Sequence, residues 1–148
     1  MTNNKNIKLE PSFTIICDDI RKEDNGKHIL IGVYTGNINL AGPKPTDDMR
    51  VAANLHLHFW IACKVEEKIG IAPFEIKIDE PTKKGAIIIN GQVTIDNPPK
   101  PNEIIPIVVG PIPLRIWESG NLVVSLKLHG EKEFTALCTM PVNFHLAK

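Results

Sequence analysis

Two histidines and a tryptophan occupy alternate positions of one segment, at His56, His58 and Trp60. Alternate side chains of a β-strand lie on the same face, about 7 Å apart. Because imidazole is a common zinc ligand, an H-x-H pair on a strand is a plausible start of a zinc site, which needs at least a third ligand. Histidines on a solvent face are more common, so we predict no metal site, and His56 and His58 are only weak candidates for one.

The position of Trp60 on the polar face of its strand indicates an interface. A large ring on the polar face of a strand usually covers or contacts another element. Either the N-terminal arm of this chain or a second chain would lie over it. The sequence therefore predicts an interface at Trp60, with His56 and His58 beside it.

Asp18 is a possible perturbed acid at a binding site. Residues 13–21 and 28–34 are β-rich runs that meet at an Asn25-Gly26 step, which is typical of a hairpin with a two-residue turn. With that turn, Asp18 lies opposite Val33 on the apolar, core-facing side, where a buried charge needs a partner. The alternatives are bonding to backbone amides near the sheet edge, or a bulge that turns the carboxylate outward.

Other residue types that could perform chemistry lack a supporting pattern. A calcium site needs about six to eight oxygen ligands, which a D-x-D-x-D run helps to supply. No such run accompanies the acidic pairs of this chain, which are Asp18-Asp19, Asp47-Asp48 and Asp79-Glu80. The chain contains no G-x-S-x-G, no phosphate-binding glycine loop and no H-E-x-x-H. We therefore predict no catalytic residue, no cofactor and no enzymatic activity.

The segments that carry these residues have the two-residue period of strands. Residues 55–64 alternate, and 74–79, 86–95 and 122–128 repeat the pattern. Twelve prolines and ten glycines leave little room for helices. These features predict an all-β fold, a two-sheet antiparallel immunoglobulin-like or C2-like sandwich of about eight or nine strands. Residues 1–12 would form a polar N-terminal arm, and residues 13–148 a single β-sandwich domain.

Two residues within these strands allow more specific predictions. Gly91 suggests a bulge in the strand over residues 86–95. Pro106 cannot donate a backbone hydrogen bond, so it places the strand over residues 104–109 at a sheet edge or a bulge.

Composition narrows the classes of partner. Lys+Arg and Asp+Glu number 17 each, so the formal net charge is zero, and the basic excess of a nucleic-acid-binding protein is missing. Zero net charge is compatible with self-association. No segment approaches the roughly 20 apolar residues of a membrane span. The three cysteines are far apart and form no C-x-x-C pair, which predicts reduced thiols in a cytoplasmic protein.

The segment Cys17-Asp18-Asp19-Ile20-Arg21, followed by Gly26-Lys27 and Leu30-Ile31-Gly32-Val33-Tyr34, resembles the opening of an uncharacterised bacterial family of small β-sandwich proteins. Residues 74–81, 120–130 and 134–142 are similar to later parts of that family's pattern. The likeness spans about residues 13–144. It implies an immunoglobulin-like or C2-like fold and brings no assigned activity, ligand or catalytic residue.

These observations lead to two hypotheses about function. The first is a non-catalytic cytoplasmic module that assembles with itself or with another protein through a sheet face or edge. Its candidate surfaces are the His56/Trp60 face and the strand over residues 104–109. The second is a small-ligand or metal-binding sandwich, with hydrolase activity as one form of it, that uses His56, His58 and nearby carboxylates.

Overall fold

Alternating apolar and polar residues form strands along most of the chain. The computed structural model describes residues 6–42, 53–81 and 85–146, and no helix occurs among them. The strands are β1 (Leu9–Lys22), β2 (His28–Tyr34), β3 (Ile38–Gly42), β4 (Ala53–Val65), β5 (Gly70–Asp79), β6 (Ala86–Ile95), β7 (Ile104–Ile116), β8 (Gly120–Leu128) and β9 (Thr135–Leu146). The predicted all-β class and the predicted number of strands are confirmed.

The nine strands form two sheets. The four-stranded sheet has the order β2-β1-β4-β7, and the five-stranded sheet has the order β3-β9-β8-β5-β6. Neighbouring strands are antiparallel except β3 and β9, which run parallel, with Ile38 opposite Val142. The prediction of an antiparallel arrangement is wrong for this pair, because no local pattern reveals pairing between such distant segments.

Both sheets contribute to one hydrophobic core. Phe59 and Ile61 of β4 are fully buried, as are Ile76 of β5 and Leu122 of β8. All four belong to a single cluster of buried apolar side chains. Full burial of one such side chain contributes about 1.5–3 kcal/mol, so the shared core is the main interaction that holds the two sheets together.

The N-terminal segment also connects the sheets. Strand β1 begins at Leu9, earlier than the predicted start at Phe13, and Ile7 and Leu9 are buried in the core. The backbone N–H of Ile7 donates to the carbonyl of Ile71 in β5 at 2.9 Å. Residues 6–9 therefore cross from one sheet to the other.

The hairpin between β1 and β2 differs from the prediction by one residue. Glu23 N–H donates to the Lys27 carbonyl at 2.8 Å, and Gly26 N–H donates to the Glu23 carbonyl at 3.0 Å. The loop therefore has three residues, and in it only Gly26 has a positive φ, of 82°. A two-residue turn would require a positive φ at Asn25 as well. Because side chains alternate, this shift moves every β2 side chain to the face opposite the predicted one.

Of the two predictions made for single strand residues, the one for Gly91 is wrong and the one for Pro106 is confirmed. Strands β5 and β6 pair without a break in register, so the bulge predicted at Gly91 is wrong. Gly91 lies opposite Phe74, whose Cζ is 2.6 Å from where a Cβ would stand. Pro106 lies in β7, at an edge of the four-stranded sheet, as predicted. The register shift opposite residues 57–59 lets β7 continue as one strand to Ile116.

Candidate functional site

The side of the four-stranded sheet that is turned away from the core carries apolar residues on all four strands. Cross-strand pairing places Ile15 of β1 beside Trp60 of β4, and Trp60 beside Val108 of β7. On the other flank, Cys17 of β1 lies beside Val33 of β2. We call the apolar residues on this side the outer face; they are Phe13, Ile15, Cys17, Ile29, Ile31, Val33, Trp60, Ala62, Pro106 and Val108.

Exposure is concentrated on the outer face. Eight large apolar side chains are exposed among the described residues, and five of them belong to this face. Their exposed fractions are 49% for Phe13, 45% for Val33, 43% for Val108, 42% for Ile29 and 38% for Ile31. Single exposed apolar residues are ordinary, but several on one side of a sheet are typical of an interaction surface.

Trp60 lies within the outer face, as predicted from strand alternation. The Phe13 ring packs against it, with ring centroids 5.5 Å apart and an interplanar angle of 41°. Part of the cover that the sequence predicted for Trp60 therefore comes from β1. The indole N–H is buried with no hydrogen-bond partner among the described residues, which costs about 1–3 kcal/mol.

The two histidines of the predicted row have different environments. His56 is exposed and lies opposite Pro113. His58 is mostly buried and lies opposite Cys17, with Nδ1 3.0 Å from the Asp18 carbonyl oxygen and Nε2 3.9 Å from Asp19 Oδ1. Across residues 6–42, 53–81 and 85–146, no group of three His, Cys, Asp or Glu side chains is arranged to hold a metal ion. In this part of the chain, the H-x-H pair therefore gains no third ligand.

Cys17, His58 and Asp19 bring together a thiol, an imidazole and a carboxylate. The Cys17 thiol is fully buried and donates to the Asp19 carbonyl oxygen at 3.4 Å. Burial raises the pKa of this thiol, and the negative charges of Asp18 and Asp19 act in the same direction. A nucleophilic cysteine needs a lowered pKa and access to substrate. The arrangement therefore does not support cysteine-based catalysis.

Asp18 lies on the same side of β1 as the buried Ile16, as predicted, but its side chain is exposed. The one-residue shift of the hairpin places Gly32 opposite it instead of Val33. Gly32 has a φ of 68°, and a Cβ at this position would overlap the Asp18 carboxylate. Asp18 Oδ1 accepts a hydrogen bond of 2.6 Å from the Tyr34 hydroxyl. Burial, followed by this hydrogen bond and the Asp18 charge, raises the pKa of Tyr34 to about 12.

The remaining acidic pairs do not converge on a common site. Asp47-Asp48 lies outside the described residues. Asp79 and Glu80 line an open cleft of about 800 Å³ together with Glu118. Asp79 lies 3.8 Å from the ammonium group of Lys77. Thus no second acidic pair from the described residues reaches this cleft.

Sequence reasoning missed Phe13 and the whole contribution of β2 to the outer face, whereas Val108 lies in the strand over residues 104–109 that was predicted as a candidate surface. One signal was present in β2, where Ile29, Leu30 and Ile31 are consecutive apolar residues. A strand with one solvated face alternates with polar residues, so an uninterrupted apolar run indicates apolar groups on both faces. The pairing that joins β2 to Trp60 through β1 depends on register and cannot be seen in the sequence.

Neither a protein-family model nor a curated protein matches this chain. Among the residues placed by the structure, no helix is long and apolar enough to cross a membrane. The fold and the site define an all-β protein with two sheets around one core and an apolar face on the four-stranded sheet.

Proposed function

We propose that this protein is a non-catalytic cytoplasmic self-assembly module that associates with a second copy of itself through the outer face. The observation that carries the proposal is the clustering of five exposed apolar side chains on that face. The proposed fold type is an immunoglobulin-like or C2-like sandwich, supported by two sheets that share one core. The resemblance of the opening segment to the uncharacterised bacterial family supports the same fold type.

The area of the outer face limits how strong the association can be. Three strand spacings measure about 14 Å, and the nine residues of β1 from Phe13 to Arg21 span about 27 Å. The resulting footprint of roughly 400 Å² is comparable to the largest apolar patches of monomeric proteins. It is smaller than the roughly 800 Å² per partner of a standard interface. We therefore expect a weak association that depends on protein concentration.

The charges around the outer face favour a second copy as the occupant. Arg21 Nε lies 3.4 Å from Asp19 Oδ2, so these two charged groups of β1 balance each other. The whole chain also has a formal net charge of zero, and two copies therefore approach without long-range repulsion. An apolar surface with balanced charge is complementary to itself, as a two-fold symmetric interface requires.

A charge placed in the outer face tests this function. We expect the weight-average mass from sedimentation velocity to rise with the concentration of the wild-type protein. Ile31→Lys should weaken the association by about tenfold or more, because it places a charge on an exposed apolar position of the outer face. Ile69→Lys is the matched control, since Ile69 is 57% exposed and lies outside the outer face.

The proposal fails if wild type and Ile31→Lys have the same weight-average mass at every concentration. A wild-type protein that stays monomeric also contradicts self-assembly, and in that case the outer face would be assigned to a different protein. Native mass spectrometry of the untagged protein separates these outcomes, since it detects a second copy, a co-purifying chain or a retained ion by mass.

A further inference from the structure

Strand β6 is an unprotected edge of the five-stranded sheet. Among the described residues it pairs only with β5, in a register that continues without a break from Ala86 to Ile95. Its ten residues include no charged residue and no proline. Natural edge strands are usually protected from further pairing by lysine, proline, a bulge or short length. β6 has none of these features.

The core side of β6 is incompletely covered. Ile87, Ile89 and Val93 pack against the core cluster but are only half-buried. One strand inward, Ile76 and Ile78 of β5 are fully buried. This difference is expected at an edge where the layer of core side chains has no neighbour on one side. An additional strand beside β6 would complete that layer.

The core-facing residues of β6 are symmetric about Gly91. On the core side, two β-branched residues precede Gly91 and two follow it; these are Ile87, Ile89, Val93 and Ile95. On the other side, the amides of Asn90 and Gln92 flank it. An antiparallel pair of β6 strands with a two-fold axis at Gly91 therefore pairs like residues at Ile87 with Ile95, Ile89 with Val93, and Asn90 with Gln92. The remaining pair, Ile88 with Thr94, is unlike.

We propose that β6 pairs antiparallel with β6 of a second copy, which joins two five-stranded sheets into one continuous ten-stranded sheet. Backbone hydrogen bonds supply the attraction, as in other cases of strand addition. The apolar pairs on the core side add burial, and cross-strand β-branched pairs stabilise sheets. Because β6 carries no charge, the two edges meet without repulsion.

This contact is independent of the outer face, which lies on the other sheet. A chain with two different two-fold interfaces does not stop at a dimer. It closes as a tetramer when the two axes intersect at right angles, closes as a larger dihedral assembly at certain other angles of intersection, and otherwise extends as a linear assembly. The β6 contact therefore predicts assemblies larger than a dimer whenever the outer face also associates.

The β6 contact can be tested with the outer face disabled by Ile31→Lys. In this background we expect a dimer. Adding Asn90→Lys with Gln92→Lys places two pairs of lysines opposite each other, and facing like charges destabilise a sheet. The dimer should weaken by at least about tenfold, so that the variant is monomeric at concentrations where the Ile31→Lys protein is a dimer. The matched control is Asn121→Lys with Thr139→Lys, since both residues are exposed on inner strands of the same sheet. The control should remain dimeric.

Complementary charges test the register. A second variant carries Asn90→Glu with Gln92→Glu and should also be monomeric by itself. Mixed with the lysine variant, it should form a heterodimer, which native mass spectrometry identifies by its mass. A monomeric Ile31→Lys protein, a dimeric lysine variant or a mixture without heterodimer would each overturn the β6 proposal. Failure of the outer-face proposal alone gives a different result. The Ile31→Lys protein would then have the same weight-average mass as wild type, while the β6 variants would still dissociate into monomers.

Discussion

Tyr34 shows how two neighbouring side chains change each other's chemistry at the residue scale. Its hydroxyl donates to Asp18 Oδ1 at 2.6 Å, and the ring is partly buried in the hairpin. Ionisation of the phenol would place a second negative charge beside the carboxylate and remove the donated proton. Both effects add to the cost of burying a phenolate, so the protonated form is favoured.

The tyrosine titration can be measured directly, since the chain contains only one tyrosine. Tyrosinate absorbance should give a pKa of about 12 for Tyr34. Asp18→Asn should lower this pKa, because it removes the negative charge, but should leave it above 10, because burial is the larger cause. Asp96→Asn, at an exposed aspartate, should leave it unchanged. A wild-type midpoint near 10 with far-ultraviolet circular dichroism still native would contradict the assigned contact.

The hairpin shows what a sequence pattern can and cannot determine at the scale of single elements. The pattern correctly indicates two strands and a turn near Asn25-Gly26. The loop length, however, depends on whether Asn25 adopts a positive φ, and asparagine is compatible with both conformations. The structure has a three-residue loop, so the cross-strand partners of Asp18 and its neighbours could not be derived reliably.

Unknown strand register also explains why most of the outer face could not be predicted. Alternation within β4 correctly predicted that His56, His58 and Trp60 share a side, because that inference needs only one strand. The neighbours of Trp60, Phe13 and Val108, come from two other strands. Their positions depend on two interstrand registers, and each register contains a shift that the residue types do not reveal.

Gly32 provides a test of the hairpin register. Gly32→Ala should destabilise the protein by more than Gly26→Ala. Both glycines have positive φ, which costs alanine about 1–2 kcal/mol. Only at Gly32 would the added Cβ overlap the Asp18 carboxylate, whereas the space around Gly26 is open. Free energies of unfolding from urea titrations measure the difference.

A double-mutant cycle isolates the overlap at Gly32 from other effects. Asp18→Ala removes the carboxylate, so Gly32→Ala should cost less in that background than in the wild type. If the two substitutions were additive, Asp18 and Gly32 would not lie opposite each other. The three-residue loop would then be wrong.

At the scale of the whole molecule, two features join the sheets. The first is the single core, to which β4 contributes Phe59 from one sheet and β8 contributes Leu122 from the other. The second is the N-terminal segment, in which Ile7 is buried and bonded to Ile71. Neither sheet buries its apolar side without the other, so we expect them to unfold in one cooperative transition.

Ile7→Ala tests this cooperativity. Removal of a buried isoleucine side chain costs about 2–5 kcal/mol, and the loss should appear equally in both sheets. Native-state hydrogen exchange should therefore show the same decrease for the slowest amides of β4 and of β8. Ile69→Ala, at an exposed isoleucine, should change neither. A decrease confined to β8 would mean that the five-stranded sheet opens separately, and the shared core would then not be the interaction that joins the two sheets.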